Sequence, residues 1–483
     1  MKNNTKENRK ELEQITLRFI QDFFLLSQDL KEKEVITTAG APLLERLRNM
    51  DIPENGRQPD EVIWEMTEQI YPFGCHSAHP RFLGFVPSGA SYLSWLGDIM
   101  TSAYNRHAGS FANFPSGCII EQNLLQWLAR QAGFPRQAGG LFVSGGSMAN
   151  LTALTVARDK ILPEESWPLG TAYVSDQTHS SVAKGLHMIG IPESHIQKIP
   201  TDMTFRMDAS ALEQAIRSDL SKGLRPFTVI ASAGTTNTGS VDPLPEIASI
   251  CRRYGMWMHV DGAFGASVLL SRKHRHLLDG VQLADSLSWD AHKWLFQTYG
   301  CGMVFVKDKR DMVRSFHSHP EYLKDLDTEE ESMNPWNLGP ELTRPARGLK
   351  LWLTLQVMGS RQIGKAIDHG FDLAAYAQQE LSKYPDVQLL SPAQMCVVNF
   401  RFHPFGLTEE ETDRLNLEIA QKILSSGYAG IFTTELRGKK ALRLCLLHPE
   451  TTNEDVSSIL RYLDDCRREL LPAETYMAAA GGI

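Results

Sequence analysis

The sequence predicts an α/β protein whose main domain is a mostly parallel sheet covered by helices. Between about residues 140 and 307, short apolar runs alternate with helical patterns, which is typical of strand–helix–strand units. From about residue 376 the order becomes two strands, a helix, two strands and a helix, which indicates a small α+β domain. We therefore expect a helical segment over 1–85, a large domain over 86–375 and a small domain over 376–483.

The N-terminal segment begins with an amphipathic helix. Its apolar residues recur at steps of three and four, the spacing of one helix face. These residues are Leu12, Ile15, Phe19, Phe23 and Leu26. A second helical stretch follows Asp60. A single chain is not expected to bury all of this apolar surface, so we expect the segment to pack partly on a partner subunit.

The large domain contains seven predicted strands, each a short apolar run. They cover residues 141–143, 172–175, 196–199, 228–232, 257–260, 286–289 and 303–306. Helical patterns cover residues 148–160, 212–219, 245–254 and 349–358. Residues 315–340 are acidic and polar without a clear period, which predicts a mobile loop.

The small domain is predicted from four strands and two helices. The strands cover residues 387–390, 397–402, 430–434 and 441–446, and the helices cover 409–426 and 453–471.

Composition and charge exclude several classes of protein. The 49 Lys+Arg and 57 Asp+Glu give a net charge of −8, whereas a nucleic-acid-binding protein would show a basic surface. No apolar run approaches the roughly 18 residues of a membrane helix, and the N-terminus lacks the apolar centre of a signal peptide. The seven cysteines form no CxxC pair and no HExxH occurs, so neither a disulfide framework nor a metal site is expected. We expect a cytoplasmic protein with no membrane or nucleic-acid partner.

Two ionisable residues suggest the chemistry. Lys293 follows a predicted strand and is flanked by His292 and Trp294. A lysine in such an apolar setting is costly to charge and can serve as a nucleophilic amine. By itself the position fits a surface lysine better, so the nucleophilic role needs support from a second site. Asp261 ends another strand, where α/β sheets place ligand contacts. A lysine that forms a Schiff base and an aspartate that keeps a pyridine nitrogen protonated together suit pyridoxal phosphate (PLP).

Three further motifs lie in the same order along the chain. Gly146 and Ser147 stand between a strand and a helix, where backbone N–H groups can bind a phosphate. His179 follows the next strand and could stack on a flat ring, and Thr236 follows a later strand. Each motif alone is weak, since a core histidine or an ordinary turn fits equally well, but their joint order points to one cofactor site.

In these motifs and their order the sequence resembles the group II pyridoxal-phosphate-dependent amino-acid decarboxylases of the aspartate-aminotransferase fold type I. The similar segments are HPRFLGFVPSGASYLSWLGDIM, GGSMANLTAL, SDQTHSSV, AGTTNTGSVDPL, HVDGAFGAS, LADSLSWDAHKW and PEYLKDL, and they cover roughly residues 79–360. The pattern looks closest to aromatic L-amino-acid decarboxylases, and among these to bacterial tryptophan decarboxylases. The resemblance also implies a homodimer with active sites at the interface.

The resemblance implies a set of catalytic residues. Lys293 matches the lysine that binds the cofactor covalently, Asp261 the partner of its pyridinium nitrogen, and His179 the histidine over its ring. Tyr322 matches the catalytic tyrosine of a flexible loop. Asp290 stands where the animal enzymes have asparagine. A carboxylate beside a phosphate is electrostatically unfavourable, so Asp290 is not assigned as a phosphate ligand.

The resemblance likewise implies contacts to the cofactor. Gly146, Ser147 and His292 match residues on its phosphate side. Ala263 matches a small residue under the ring, and Thr236 a polar residue near the pyridinium partner.

The predicted activity is decarboxylation of an aromatic L-amino acid, with tryptophan preferred over phenylalanine, tyrosine or dopa. Phe85, His107 and Trp336 are candidate walls of an aromatic slot, partly from the neighbouring subunit. A decarboxylase of an acidic amino acid such as glutamate, an aromatic acetaldehyde synthase and a non-enzymatic protein with the same fold are the alternatives. The acidic substrate would need a cation for its distal carboxylate. Candidates for that cation are Arg81, Arg106, Arg344 and Arg347.

Tyr322→Phe should lose amine production and gain aldehyde, ammonia and hydrogen peroxide. The phenol can return a proton to Cα after CO₂ has left, and without this donor oxygen reacts instead. Amine and peroxide assays on the purified variant measure both outcomes. Amine release at the wild-type rate with no aldehyde would assign the proton to another donor, with His179 the next candidate.

Overall fold

The computed structural model describes residues 5–28, 30–86, 89–317 and 334–471. Within these ranges the α-helices are α1 Thr5–Gln28, α2 Ala41–Arg48, α3 Pro59–Gln69, α4 Tyr92–Tyr104, α5 Pro115–Gln131, α6 Gly146–Ile161, α7 Ser180–Met188, α8 Ala209–Ser221, α9 Leu244–Tyr254, α10 Ala291–Trp294, α11 Lys309–Phe316, α12 Leu349–Leu381, α13 Glu409–Ser425 and α14 Asn453–Leu470. The strands are β1 Ile36–Thr37, β2 Gly74–Cys75, β3 Gly139–Val143, β4 Gly170–Ser175, β5 Ile196–Ile199, β6 Arg225–Ser232, β7 Trp257–Asp261, β8 Ser286–Asp290, β9 Gly302–Val306, β10 Val387–Leu389, β11 Val397–Phe402, β12 Phe432–Leu436 and β13 Lys439–Cys445. Short 3₁₀ helices cover Leu30–Glu32, Glu164–Leu169, Glu193–His195, Gly265–Leu270, Arg275–Leu278, Val281–Leu283 and Pro335–Leu338.

The large domain is built on a seven-stranded sheet of order β3-β9-β8-β7-β6-β4-β5. Neighbouring strands from β4 to β8 are parallel, and β9 is antiparallel to both β3 and β8. Parallel neighbours need a long crossover, whereas β8 and β9 are joined only by residues 291–301, so the chain returns antiparallel. All seven strands predicted from the apolar runs are present, and the mostly parallel sheet is confirmed.

The carboxyl ends of three neighbouring strands bring polar side chains close together. Ser232 at the end of β6 lies opposite Asp261 at the end of β7, and Asp261 lies opposite Ser288 in β8. The turn after β3 comes close to the same edge. A Cβ on Gly302 would lie 2.5 Å from the Cα of Gly145, so this approach requires glycine.

The small domain contains an antiparallel sheet of order β10-β11-β13-β12. Helix α13 packs on this sheet, and α14 packs on α13 and α12. Helices α13 and α14 both begin with a capping box, Thr408 with Glu411 and Thr452 with Asp455. The long helix α12 leads into this domain and bends at Gly359, whose φ of 74° interrupts the helix where the predicted stretch 349–358 ends.

The N-terminal helix packs on α4 of its own chain. Phe23 stacks on Trp95 with ring centroids 5.0 Å apart, and Phe24 meets the same indole edge-on at 5.4 Å. Ile15 is buried, but Leu12 and Phe19 on the predicted apolar face remain 47% and 41% exposed. The single chain therefore covers this face only in part.

Six of the seven cysteines are buried, Cys75 is exposed, and all seven are free thiols. Within the ranges that the structure describes, no helix combines the length and the apolar character needed to cross a membrane. The cytoplasmic location stays a prediction.

Candidate active site

A cavity of about 580 Å³ opens at the carboxyl ends of β6, β7 and β8. Nine of the residues predicted for the site line it: Phe85, Gly146, Ser147, His179, Thr236, Asp261, Ala263, His292 and Lys293. Residues that are distant in sequence meet here because the carboxyl ends of parallel strands share one edge of the sheet.

Asp261 is a buried carboxylate that receives three hydrogen bonds from the protein. Its Oδ1 accepts from the backbone N–H of Ala263 and from the hydroxyl of Ser288, both at 3.1 Å, and its Oδ2 accepts from Nδ2 of Asn150 at 3.0 Å. Burial works to raise the pKa of Asp261, but the positive charge of Lys293 and these donors hold it below its usual range. A carboxylate has about four acceptor positions, so one is left for a donor in the cavity.

Lys293 lies in the short helix α10, directly after β8. Its Nζ is 3.3 Å from Oδ2 of Asp290, and Nε2 of His292 is 3.5 Å from the same oxygen. Burial lowers the pKa of His292, although the Asp290 carboxylate opposes this shift. The ring of Trp294 packs into the core against Phe264, with centroids 5.2 Å apart, and so fixes α10 in place.

The first turn of α6 offers an anion site. The residue before it, Gly145, makes no side-chain cap, so no cap side chain occupies the N–H groups of this turn. A Cβ on Gly146 would lie 2.9 Å from Oδ2 of Asp290 and 3.0 Å from Cβ of Ala263, so a larger residue would require these side chains to shift. The 16-residue helix α6 thus presents bare backbone to the cavity beside Ser147.

His179 is the N-cap residue of α7. Its Nδ1 accepts from the backbone N–H of Ser181 at 3.2 Å and lies 2.9 Å from the Ser181 hydroxyl. With Nδ1 used as an acceptor, the ring proton of the neutral imidazole is on Nε2. Thr236 also lines the cavity, and its carbonyl accepts from the guanidinium of Arg443 at 3.1 Å.

Some predicted site residues are not brought to the cavity of the single chain. His107 and Trp336 contact each other, with ring centroids 5.8 Å apart, and neither lines this cavity. Tyr322 and residues 318–333 of the predicted lid, which covers 316–333, lie outside the described residues. The pocket roles of His107 and Trp336 remain proposals that depend on a partner subunit.

The comparison with known proteins settles the family. Residues 42–403 match the pattern of the pyridoxal-dependent decarboxylase conserved domain. The chain belongs to the pyridoxal-dependent decarboxylase family. It is a carboxy-lyase, and its cofactor is PLP.

The decarboxylase is similar to characterised proteins over nearly its whole length. It is 38% identical to an aromatic-L-amino-acid decarboxylase of Bacillus atrophaeus, over 95% of this chain and 96% of that protein. It is 31% identical to tryptophan decarboxylase 2 of Oryza sativa subsp. japonica, over 85% of each chain. The Oryza sativa TDC crystallised with PLP and tryptamine superposes with a TM-score of 0.90 at 26% identity, over 98% of this chain and 100% of that one. The predicted fold type is thereby confirmed.

The residues of the cavity fit PLP. The uncapped glycine turn of α6 suits its phosphate, the remaining acceptor position of Asp261 suits its protonated nitrogen, and the amine of Lys293 suits its aldehyde. These three features lie in one cavity, as binding a single rigid molecule requires.

Asn150 and Arg443 are two of the lining residues that the sequence did not predict. Asn150 lies one turn after Gly146 on α6, and this four-residue spacing was the available signal. Arg443 reaches the cavity from β13, and no local pattern could link it to Thr236 across 207 positions.

Asp290→Asn should tighten cofactor retention. The Oδ1 of Asp290 is buried and has no hydrogen-bond partner among the described residues, while its Oδ2 faces Lys293 beside the α6 turn. A phosphate held at the α6 turn would place a like charge beside the Asp290 carboxylate. We expect the PLP dissociation constant to fall about tenfold, equivalent to about 1.4 kcal/mol.

Fluorescence titration of the apoprotein with PLP measures this change. Asp285→Asn is the control, since Asp285 immediately precedes β8 and so lies at its opposite end, where it accepts from the backbone of Met258. Weaker binding by Asp290→Asn would contradict the prediction and would mean that the carboxylate is needed to hold Lys293 in place for the cofactor.

Proposed function

We propose that this enzyme decarboxylates aromatic L-amino acids, with tryptophan preferred, to the arylalkylamine and CO₂. The observation that carries the proposal is the combination, in one cavity, of Lys293 and Asp261 with an aromatic mouth. The similarity to the Bacillus atrophaeus aromatic-L-amino-acid decarboxylase supports it.

The mouth of the cavity suits a flat side chain. Phe85 stacks on Phe432 with ring centroids 4.7 Å apart and an interplanar angle of 17°. Phe82 meets Phe85 edge-on at 5.6 Å, so the stacked pair is held from a third side. Phe85 remains 46% exposed and lines the cavity, which leaves a ring face for a substrate to contact.

The charges of the cavity fit a substrate with one carboxylate. Arg443 is the arginine among the described lining residues. Its guanidinium donates to the carbonyls of Gly84 at 2.8 Å and Thr236 at 3.1 Å, and no carboxylate of the described residues lies within ion-pair distance. Every amino-acid substrate carries one α-carboxylate, which this cation can attract.

A second cation for a distal carboxylate is not found among the predicted candidates. Arg344 forms a buried ion pair with Glu121 at 2.8 Å, and Arg347 pairs with Glu341 at the same distance. Arg81 donates to the carbonyl of Lys31, and neither it nor Arg106 lines the cavity. These placements favour the aromatic substrate over glutamate.

The chain's residues supply binding, orientation and proton control. When bound, PLP draws the electrons of the Cα–carboxylate bond into its ring, so that CO₂ can leave. Asp261 keeps the ring nitrogen protonated, and Lys293 supplies the amine that holds the cofactor until the substrate amine replaces it. His179 lines the cavity, and because its Nδ1 accepts from Ser181, Nε2 is the ring nitrogen that can donate to a bound group. By resemblance, Tyr322 returns a proton to Cα, and the lid excludes water.

A competition assay tests the substrate. Equal concentrations of tryptophan and glutamate should give tryptamine and no detectable γ-aminobutyrate, because discrimination against an unpaired buried carboxylate is severe. Lys293→Ala should give neither product and serves as the background control. Faster release of γ-aminobutyrate would overturn the aromatic assignment, and peroxide with phenylacetaldehyde from phenylalanine would favour the aldehyde synthase.

The second part of the proposal is a homodimer. Helix α4 exposes an apolar stripe at four-residue spacing, consisting of Tyr92, Leu96, Met100 and Tyr104. The uncovered face of α1 lies beside it, since Phe24 contacts Tyr92 at 5.7 Å. A continuous apolar surface of this kind marks a protein interface.

Leu96→Glu should weaken the dimer about tenfold or more, because it places a charge in an apolar interface. Leu220→Glu on α8 is the matched control, since Leu220 is 46% exposed against 44% for Leu96. Sedimentation equilibrium measures association. An unchanged dimer in Leu96→Glu would move the interface elsewhere, and a fully active wild-type monomer would remove the dimer from the proposal.

A further inference from the structure

A chain of buried polar side chains leads away from Asp261 into the core. Asn150 donates from Nδ2 to Oδ2 of Asp261, and its Oδ1 lies 3.0 Å from Nε2 of His259. The Nδ1 of His259 lies 2.8 Å from the hydroxyl of Ser286, which accepts from the indole of Trp257 at 2.7 Å. Asn150, His259 and Ser286 are all fully buried.

The groups at the two ends of this chain of hydrogen bonds determine which atom carries each proton between them. An indole N–H can only donate, so the Ser286 hydroxyl accepts from Trp257 and keeps its own proton available for Nδ1 of His259. At the other end a carboxylate can only accept, so Asn150 turns its NH₂ group towards Asp261. The amide oxygen of Asn150 then faces His259, whose Nε2 must carry the ring proton.

The charge state of His259 agrees with this pattern. Burial lowers the pKa of His259 to about 4, although the negative charge of Asp261 opposes the shift. The ring is therefore neutral near pH 7, with one donor and one acceptor. A neutral imidazole with its proton on Nε2 satisfies both neighbours.

The same amide also reaches the histidine on the other side of the cavity. The Nδ2 of Asn150 lies 3.1 Å from the hydroxyl of Ser181, and this hydroxyl lies 2.9 Å from Nδ1 of His179. If the amide turned over, its oxygen would face Asp261 and Ser181, and both N–H donors would be lost. A single orientation of the Asn150 amide thus lets its Nδ2 donate to both Asp261 and Ser181.

We propose that His259 is a positioning residue for the cofactor: it locks the amide of Asn150 so that Asp261 and Ser181 both face an N–H donor. The inference rests on the proposed role of Asp261 and concerns cofactor binding rather than the choice of substrate. His259 itself does not line the cavity and acts only through Asn150.

The first test measures the PLP dissociation constant of apoprotein variants by fluorescence titration. His259→Leu removes the donor to Asn150, so the amide is free to turn its N–H away from Asp261. PLP binding should then weaken about tenfold, the usual effect of losing a hydrogen bond to a charged group. His259→Gln should stay within about twofold of the parent, because its amide can donate to Asn150 and accept from Ser286. Binding by His259→Leu equal to the parent, or Gln no better than Leu, would overturn the proposal.

The matched control is Thr228→Val. Thr228 is fully buried in β6, its hydroxyl has no partner among the described residues, and it lies opposite Trp257 in the sheet. Removing this hydroxyl should leave PLP binding unchanged. An equal loss of affinity in Thr228→Val would mean that any change in this part of the core disturbs the site, and the specific role of His259 would be lost.

A double-mutant cycle separates positioning from general packing. In the Asn150→Leu background, adding His259→Leu should change the PLP dissociation constant by less than about twofold, because its effect passes through the amide. Two losses that add in full would show that His259 acts by another route and would overturn the proposal.

Ser286→Ala covers the case in which His259→Leu does not fold. It keeps the imidazole but removes the proton given to Nδ1, and it should weaken PLP binding about threefold. Unchanged affinity would overturn the proposal. If the parent protein itself takes up no PLP, the proposed cofactor site fails instead, so the two failures are distinguishable.

Discussion

A carboxylate that is buried and ionised must be surrounded by hydrogen-bond donors, and Asp261 is the group on which this structure depends. Its donors come from the strand beside it, from the loop after it and from α6, so three parts of the large domain meet on one side chain. Each of these parts also carries a lining residue of the cavity. The donors that keep Asp261 charged therefore also hold the surrounding elements in place.

The parallel sheet supplies the second constraint. Because β6, β7 and β8 run in the same direction, their carboxyl ends bring Ser232, Asp261 and Ser288 side by side. The reversal of β9 then returns the chain next to the glycine turn of α6, where Gly302 allows close contact. This geometry places an uncapped helix N-terminus beside a lysine and a carboxylate, an arrangement suited to one charged, flat cofactor.

The apolar side chains in the core of the large domain are buried, whereas α1 and α4 leave stripes of apolar side chains exposed to solvent. His107 and Trp336 pack on each other at a distance from the cavity of their own chain. A second copy placed on α1 and α4 would account for both features, which is why the homodimer and the substrate slot belong to one proposal.

The sequence by itself determined the order of elements, the mostly parallel sheet and the residue types of the site. Apolar periodicity reflects burial, and the strand ends could be predicted from where each apolar run stops, as at Asp261 and shortly before Lys293. Contacts between distant segments were decided only by the tertiary structure. Asn150 meets His259, and Arg443 meets Thr236, because helix packing and sheet register bring them together, and no local pattern encodes a contact across 109 or 207 positions.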